Sequence, residues 1–441
     1  MSENAKLTPS YAVSRRTILK GAGAAGLAAG ALHPKMSRTF AGGRYLQGTP
    51  ITLNYGTWFF PEPGRGDAWR KMIEKFHAEQ ADIRIEGEEV NFNIFIPNVI
   101  TQLGAGRLEY DIMSTTPDLV LRLLQAGVLT PLNSVLEANN ITDLSAAHDY
   151  ITVDGEVMGL DVVTVVFGLL YNQKMFADAG ITTLPTTVDE WVDVSIQLTE
   201  RPNKFGIWAP HLLAEPETFW FQLQEWACPF GGRWAVGNKP QLTSEPILQA
   251  VDLFKRMYDG AVPQGSNDAT ALRQWAESQV AQQLNVSAAV NQYKVDAPDV
   301  YPDVRSMPLP WESKESIARI HPIVVNNQSD HVEAGIEFIT WLYKPENYRM
   351  LLMEQLDVIP SYSVGGLEEY LGALPWLEGG FEGMSLVTPP EMVGGFINNN
   401  QEFGQIVIER VSEVLTSGRP IEEAMAEAQA DAEELASNLG I

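Results

Sequence analysis

Cysteine is almost absent. Cys228 is the only one in 441 residues, so no internal disulfide can form. It lies far from the N-terminus, which excludes the lipid-bearing cysteine of a lipoprotein signal; a small buried hydrophobe is expected there rather than a catalytic thiol. Positive charge is scarce too, with 30 Lys and Arg against 56 Asp and Glu and a net charge of -26. Such a surface repels phosphate backbones and anionic lipid, which argues against nucleic acid as a partner. The six histidines are scattered without metal-ligand spacing. No Gly-x-Ser-x-Gly, His-Glu-x-x-His or P-loop occurs. Neither metal nor cofactor is expected. No apolar stretch after the N-terminal region is long and clean enough to span a bilayer, and no internal repeat or low-complexity linker is found.

What basic charge there is gathers at the start. Residues 1–41 hold six Lys/Arg and one acid, so the remainder stands near -31. Ser14-Arg15-Arg16-Thr17-Ile18-Leu19-Lys20 resembles the twin-arginine export motif, and a weakly apolar Gly/Ala segment, Gly21 to Leu32, follows. A charged start, a short apolar middle and small residues mark a secretory signal and not a membrane span. Cleavage is expected after Ala31 or Ala41, with Ala41 preferred because the clear fold begins near Ile51. The expected location is periplasmic or extracellular, without a lipid anchor.

The mature region is long enough for two or three domain-sized units. Ile51 to Tyr55 alternates as a strand ending at Gly56-Thr57-Trp58, and a helix follows from Asp67 to Gln80. Asp82–Val90 predicts a strand, Phe95–Ala105 a helix, Asp111–Met113 a strand and Asp118–Ala126 a helix. This alternation argues for an α/β layer with a largely parallel sheet. Further on, Phe205–Ile207, Val280–Val286 and Val304–Leu309 read as strands. Thr218–Ala227, Ser244–Tyr258 and Asp268–Glu277 read as helices. Ile323–Val325 is expected as a short strand, Asp330–Tyr343 and Pro345–Glu354 as helices, and Gln405–Ser417 and Ile421–Asn438 as a helical tail.

The most telling stretch is Gly155 to Leu198. An apolar run from Leu160 to Leu170 ends in Tyr171-Asn172. A short helix, Gln173 to Ala179, is stopped by Gly180, and Asp189-Glu190-Trp191 opens a second helix. This order resembles the extracellular solute-binding proteins of family 1, the maltose-binding-like receptors of ABC sugar importers. The likeness runs from about Ile51 to Ile441. Other segments that carry it are the strand ending at Trp58, the Asp111–Pro131 block, Gly231-Gly232, Trp275 to Asn285, and Asp330-His331 with Ala334 and Glu337-Phe338-Ile339. Three positions depart from it: Gln282 where members often carry Met, Ala288 where they carry Trp, and His321-Pro322 in place of a Gly-rich entry. These departures suggest an altered pocket.

The resemblance implies a type-II-like periplasmic-binding-protein fold, two α/β lobes with a ligand cleft between them. It implies lobe 1 over 42–161 and 320–358, and lobe 2 over 162–319 and 359–441. It also implies capture of a carbohydrate without chemical change, docking on an ABC permease, and a monomer. Sugars offer an apolar C–H face and a rim of hydroxyls, which suit aromatic rings and carboxylates or amides. The candidate ligand residues are Trp58, Glu62, Thr115, Thr116, Asp118, Trp220, Trp234, Asn285, Trp311, His321 and Tyr362. Asp118 also suits a helix cap, and at least one of Trp220 and Trp226 should pack in a core. Loss of the Trp58 ring is expected to weaken binding without unfolding the chain. A polyamine is the alternative ligand, through cation–π contact with the tryptophans. A glycan hydrolase would need two carboxylates about 5 Å apart, a spacing that sequence does not reveal. A structural or adhesive surface protein is disfavoured by the lack of repeats and of an anchor.

Overall fold

The computed structural model describes residues 50–62, 64–287, 289–355, 359–377, 385–387 and 394–441. The twin-arginine segment, both cleavage positions and Ala288 lie outside the described residues. The first unit alternates β1 (Ile51–Gly56), α1 (Arg65–Glu79), β2 (Ile83–Gly87), α2 (Phe92–Gly104), β3 (Ile112–Ser114) and α3 (Pro117–Gln125). Alternation in β1 buries Leu53 and Tyr55 and leaves Thr52 and Asn54 outside. Helical spacing in α1 buries Trp69, Met72, Ile73 and Phe76 on one stripe. β1 pairs in parallel with β2 and β3.

β4 (Leu160–Asn172) then runs 13 residues, buried throughout except at Tyr171. A strand covered on both faces reads as a continuous apolar run, and this one is the Leu160–Leu170 run. The second unit contains α4 (Val188–Gln197), α5 (Pro216–Leu223), α6 (Glu245–Gly260), α7 (Asp268–Ala276), β5 (Gln282–Val286) and β6 (Val304–Met307). β7 (Glu315–Val325), α8 (Val332–Leu342), α9 (Pro345–Gln355), β8 (Ser385–Val387), α10 (Asn400–Ser417) and α11 (Ile421–Leu439) complete the chain.

Two long strands, β4 and β7, run from one unit into the other. The sheet order is β6-β4-β7-β3-β1-β2, with β5 on β4 and β8 on β7. The first half of β4 pairs with β7, and its second half pairs with β5 and β6. The buried apolar side chains divide accordingly. One core runs from Leu53 to Val165 and resumes with Ile320. A second runs from Phe167 to Ile317 and resumes with Phe396, and a third, smaller one gathers Leu170, Trp208, Trp275, Tyr293 and Trp376 in the same unit. The change of core therefore falls between Val165 and Phe167 on β4 and between Ile317 and Ile320 on β7. Tyr362 and Leu367 pack in the first core, although the resemblance placed the return to the second lobe at 359.

Three elements differ from their sequence reading. β7 is 11 residues long, not three. Pro322 donates no N–H and breaks the apolar pattern, but it sits at a register shift opposite β4, where no ladder bond is required of it. Phe205 makes only an isolated bridge, to Val280. The expected Thr218–Ala227 helix ends at Leu223 and continues as a tighter turn, Gln224–Phe230, around Pro229.

Candidate functional site

The pairing fixes where ligand loops can lie. β3 is antiparallel to β7, with Ile112 opposite Val325 and Ser114 opposite Ile323. The C-terminal ends of β3 and its parallel neighbour β1 thus point toward the low-numbered half of β7 and the second lobe. In α/β sheets the loops beyond those ends hold ligands. The loop after β1 brings Trp58 and Phe59 against His321 of β7, with ring centroids 5.7 and 5.9 Å away. The loop after β3 brings the Thr115 N–H to the carbonyl of Pro322, at 2.9 Å. The Thr115 hydroxyl is buried with no hydrogen-bond partner. From the second lobe, Phe221 on α5 lies under the guanidinium of Arg319, 5.2 Å from its ring centroid. The Gly394–Asn399 turn of that lobe touches α3 of the first.

Asp161 anchors the crossing. Its Oδ1 accepts the N–H of His321 at 2.8 Å and that of Val163 at 3.1 Å. Its other oxygen accepts the Thr164 hydroxyl, and its carbonyl accepts the Tyr343 hydroxyl. Its N–H donates to Nε2 of His148 at 3.0 Å, so His148 is neutral with its proton on Nδ1, facing the Ser145 carbonyl at 3.0 Å. Burial raises the Asp161 carboxyl to about 6, opposed by those hydrogen bonds, and lowers His148 to about 4. His321 is held well below its ordinary value, by burial first and then by the charges of Arg319 and Arg65. Its Nδ1 donates to the Val163 carbonyl at 3.1 Å. The shifted register at Pro322 is thus pinned by a carboxylate on the opposite strand.

A second buried acid lies on the far side of β7. Glu225 accepts the Ile317 N–H at 2.9 Å and the Cys228 thiol at 3.7 Å. Burial pushes its carboxyl up to about 8, and Oε1 has no hydrogen-bond partner. Cys228 is itself buried and its thiol is pushed well up by that burial, so it is inert as a nucleophile.

The expected ligand residues divide into two groups. Trp58, Thr115, Thr116, Asp118, Glu62 and His321 come from the two loops and the strand that meet at the crossing. Trp58 is only 3% exposed, enclosed by Phe59, Phe95 and His321. Glu62 pairs with Arg65 at 2.5 Å. Thr116 starts α3 and its carbonyl accepts the Val120 N–H at 3.0 Å. Asp118 lies in the first turn of α3 without acting as its side-chain cap. The structure does not bring Trp220, Trp234, Trp311 or Tyr362 to this group. Trp220 lies edge-on to Trp234 and donates to Asn400. Trp234 donates to the Gln224 carbonyl and Trp311 to the Glu315 carbonyl. All three belong to the second core. Tyr362 stacks on Tyr348 and Tyr343 inside the first core. Asn285 lies near the crossing, but its amide bonds Gln283, Tyr293 and the Val286 N–H.

Gln282 is fully buried, and its amide joins Trp191, Ser195 and Gly206 at 3.0–3.1 Å. Its departure from Met thus serves a polar network inside the second lobe. Sequence reasoning missed Asp161, Arg319, Phe221 and the stacking of Arg65 on Phe59, at 4.9 Å. Period-two counting back from His321 would have found Arg319. Nothing local distinguishes Asp161 within its apolar run. Among the described residues no group of three His, Cys, Asp or Glu could hold a metal, and no helix is long and apolar enough to cross a membrane. Two surface hollows, of about 520 Å³ beside Lys239 and about 210 Å³ beside Arg70, are lined by none of the crossing residues.

Two α/β lobes with separate cores, sharing strands β4 and β7 that carry converging loops, define a two-lobed solute receptor. The chain belongs to the bacterial extracellular solute-binding protein family, whose model matches residues 61–349. This is a family of binding proteins, not enzymes. Binding protein BAB2_0491 of Brucella abortus (strain 2308) is 20% identical over 302 residues, 64% of this chain and 69% of its own length. The fold resembles the cyclic alpha-maltosyl-1,6-maltose binding protein of Arthrobacter globiformis (TM-score 0.72, 17% identity, 88% of this chain, 100% of that one). It also resembles the GacH receptor of Streptomyces glaucescens, solved with acarbose (0.73, 15%, 88% and 99%). A third likeness is an Agrobacterium vitis solute-binding protein with D-mannitol (0.70, 17%, 88% and 99%).

Proposed function

We propose that this chain is the receptor of an ABC importer for a carbohydrate, a saccharide or a related polyol, held between its lobes and delivered to a membrane permease. The observation that carries the reading is the convergence on β7: Trp58, Phe59 and Thr115 of the first lobe contact His321 and Pro322, and Phe221 of the second lies against Arg319, two residues before His321. A solute that bridges the two sides binds the closed arrangement more tightly than the open one, and that difference drives closure. Among the described residues two strands pass through the change of core, and the chain crosses once more between Leu367 and Phe396; relative motion of the lobes bends β4 near Val166 and β7 near Ala318. The maltosyl, acarbose and mannitol ligands of the similar structures support a carbohydrate. Export through the twin-arginine route, without a lipid anchor and as a monomer, belongs to the same reading. The test is a thermal-shift panel of mono- and oligosaccharides, polyols and polyamines. A rise in melting temperature with one carbohydrate class supports the proposal through mass action. A rise only with polyamines replaces it.

A further inference from the structure

β7 is gripped by a buried carboxyl on each side of the change of core. On the first-lobe side, Asp161 accepts the His321 N–H at 2.8 Å. On the second-lobe side, Glu225 accepts the Ile317 N–H at 2.9 Å. Ala318, where β7 passes from one core to the other, lies between the two anchored groups. A third tie holds the same place: the Ser316 hydroxyl donates to the Phe167 carbonyl of β4 at 2.8 Å. The two carboxyls are not equivalent. Asp161 receives two N–H groups and the Thr164 hydroxyl, while His148 and Tyr343 bond its backbone. Such donors support a negative charge inside a protein, and Arg319 and Arg65 stand beyond, around His321. Glu225 has one N–H donor, the weak Cys228 thiol donor at 3.7 Å, and an Oε1 without a hydrogen-bond partner. The charged groups facing it are Glu315 of β7, of like sign, and, beyond the thiol, Arg233. Arg233 is itself forked onto Glu315 at 3.0 and 3.1 Å. α4 and α6 meet this turn with rings, Trp191 and Phe254 against Trp226. A carboxyl so placed keeps its proton, and burial holds it at about 8.

We propose that Glu225 is a proton-operated latch on lobe closure: protonated, it leaves β4 and β7 tied in the closed arrangement, and ionised, it draws the Ser316 hydroxyl from Phe167 and favours open lobes. The Ser316 hydroxyl has one proton to give. A neutral carboxyl leaves that proton with the Phe167 carbonyl. A carboxylate competes for it, since charge-assisted bonds are about twice as strong as neutral ones, and the hydroxyl already lies within its reach. The proton that Glu225 loses passes to water. Bending β7 near Ala318 lets water reach the unpartnered Oε1, so the carboxyl ionises at lower pH in the open arrangement than in the closed one. Closure therefore binds a proton. The contribution of Glu225 to closure is whole below the open-state value and is lost as pH rises through about 8. Solute affinity follows closure by linkage. For that effect on affinity the inference rests on the receptor reading above, whereas the hinge responds without a solute.

Small-angle scattering of the full-length chain without solute, from pH 6 to pH 9, reads the hinge directly. The radius of gyration should rise through about pH 8 in the parent and keep its low-pH value in Glu225→Gln. Affinities for maltose and D-mannitol, measured by calorimetry over the same range, should fall about tenfold in the parent and stay level in Glu225→Gln. Calorimetry in buffers of different ionisation enthalpy should show the parent taking up part of a proton per solute bound at pH 8 and none at pH 5. The scattering and proton-uptake arms need no variant, so they carry the test if Glu225→Gln does not fold. Ser316→Ala keeps the acid and removes the tie, and should give the larger radius already at pH 6. A parent radius independent of pH overturns the latch, as does a pH profile in Glu225→Gln that matches the parent's. If neither solute binds while the radius shifts as described, the latch stands and the receptor reading loses these solutes.

Discussion

Replacing Glu225 by Gln should stabilise the protein near neutral pH and flatten its pH dependence. The carboxyl is completely buried, is held at about 8, and has one oxygen bonded to the Ile317 N–H and the other without a partner. In the unfolded chain it ionises near 4.5. A folded value above the unfolded one means that the contribution is whole below pH 4.5 and is lost as pH rises through 8. Each unit of difference is about 1.4 kcal/mol, so relative to pH 4 the native state has lost about 3 kcal/mol by pH 7 and about 4 kcal/mol by pH 8. Gln keeps an acceptor for Ile317 and never ionises. Urea unfolding of the two proteins from pH 4.5 to 8, followed by tryptophan emission, should show their difference growing in favour of Glu225→Gln by about 4 kcal/mol. Other titrating groups are common to both and cancel in the comparison. Parallel curves across the range would refute the reasoning and show that the carboxyl titrates normally.

His148 and Asp161 should act in opposite directions. His148, lowered to about 4, stabilises above pH 6.5 and loses that contribution as pH falls through 4. Asp161, raised to about 6, contributes most below pH 3.8 and loses it as pH rises through 6. Relative to the parent, His148→Gln should therefore gain stability on acidification, by about 3 kcal/mol, and Asp161→Asn should lose it, by about 2 kcal/mol, in the same urea series. Trp58→Ala should cost about 3 kcal/mol or more in unfolding free energy besides any loss of binding, because the ring is enclosed; a melting temperature unchanged from the parent would refute its packing role. Gln282→Leu should cost about 2 kcal/mol by stranding the Trp191 N–H and the Gly206 carbonyl, again read by urea titration. Thr187→Ala removes the capping box at α4, where Thr187 and Glu190 bond each other's backbone, and should lower stability by about 1 kcal/mol, with reduced hydrogen-exchange protection in the first turn.

The two-lobed α/β fold was legible because its signals are local. The Leu160–Leu170 run is apolar on both faces since β4 is covered on both faces, and Gly180, at φ +71°, stops a helix where a side chain would be strained. β7 was shortened in the sequence reading because Arg319, His321 and Pro322 look like a loop until Asp161 is seen bonding the backbone between them. The candidate site was legible on one side only. Trp58, Thr115 and His321 follow strand ends or sit on the crossing strand, which a one-dimensional reading can locate. On the other side the conspicuous tryptophans drew attention, and Trp220, Trp234 and Trp311 fill the second core. Phe221 stands next to Trp220, and only the turn of α5 decides which of them is buried.

The position of β7 has a consequence for how the chain is made. It lies between β3 and β4 in the sheet, yet its pairing with β3 joins residues more than two hundred positions apart. A growing chain that has released β1 to β4 holds two unmatched strand edges, and the whole second unit must be synthesised before the filler strand emerges. Ordering of the first lobe is therefore tied to completion of the second, through contacts whose loop-closure entropy slows folding. Until β7 arrives, those open edges are surfaces on which one nascent chain can pair with another.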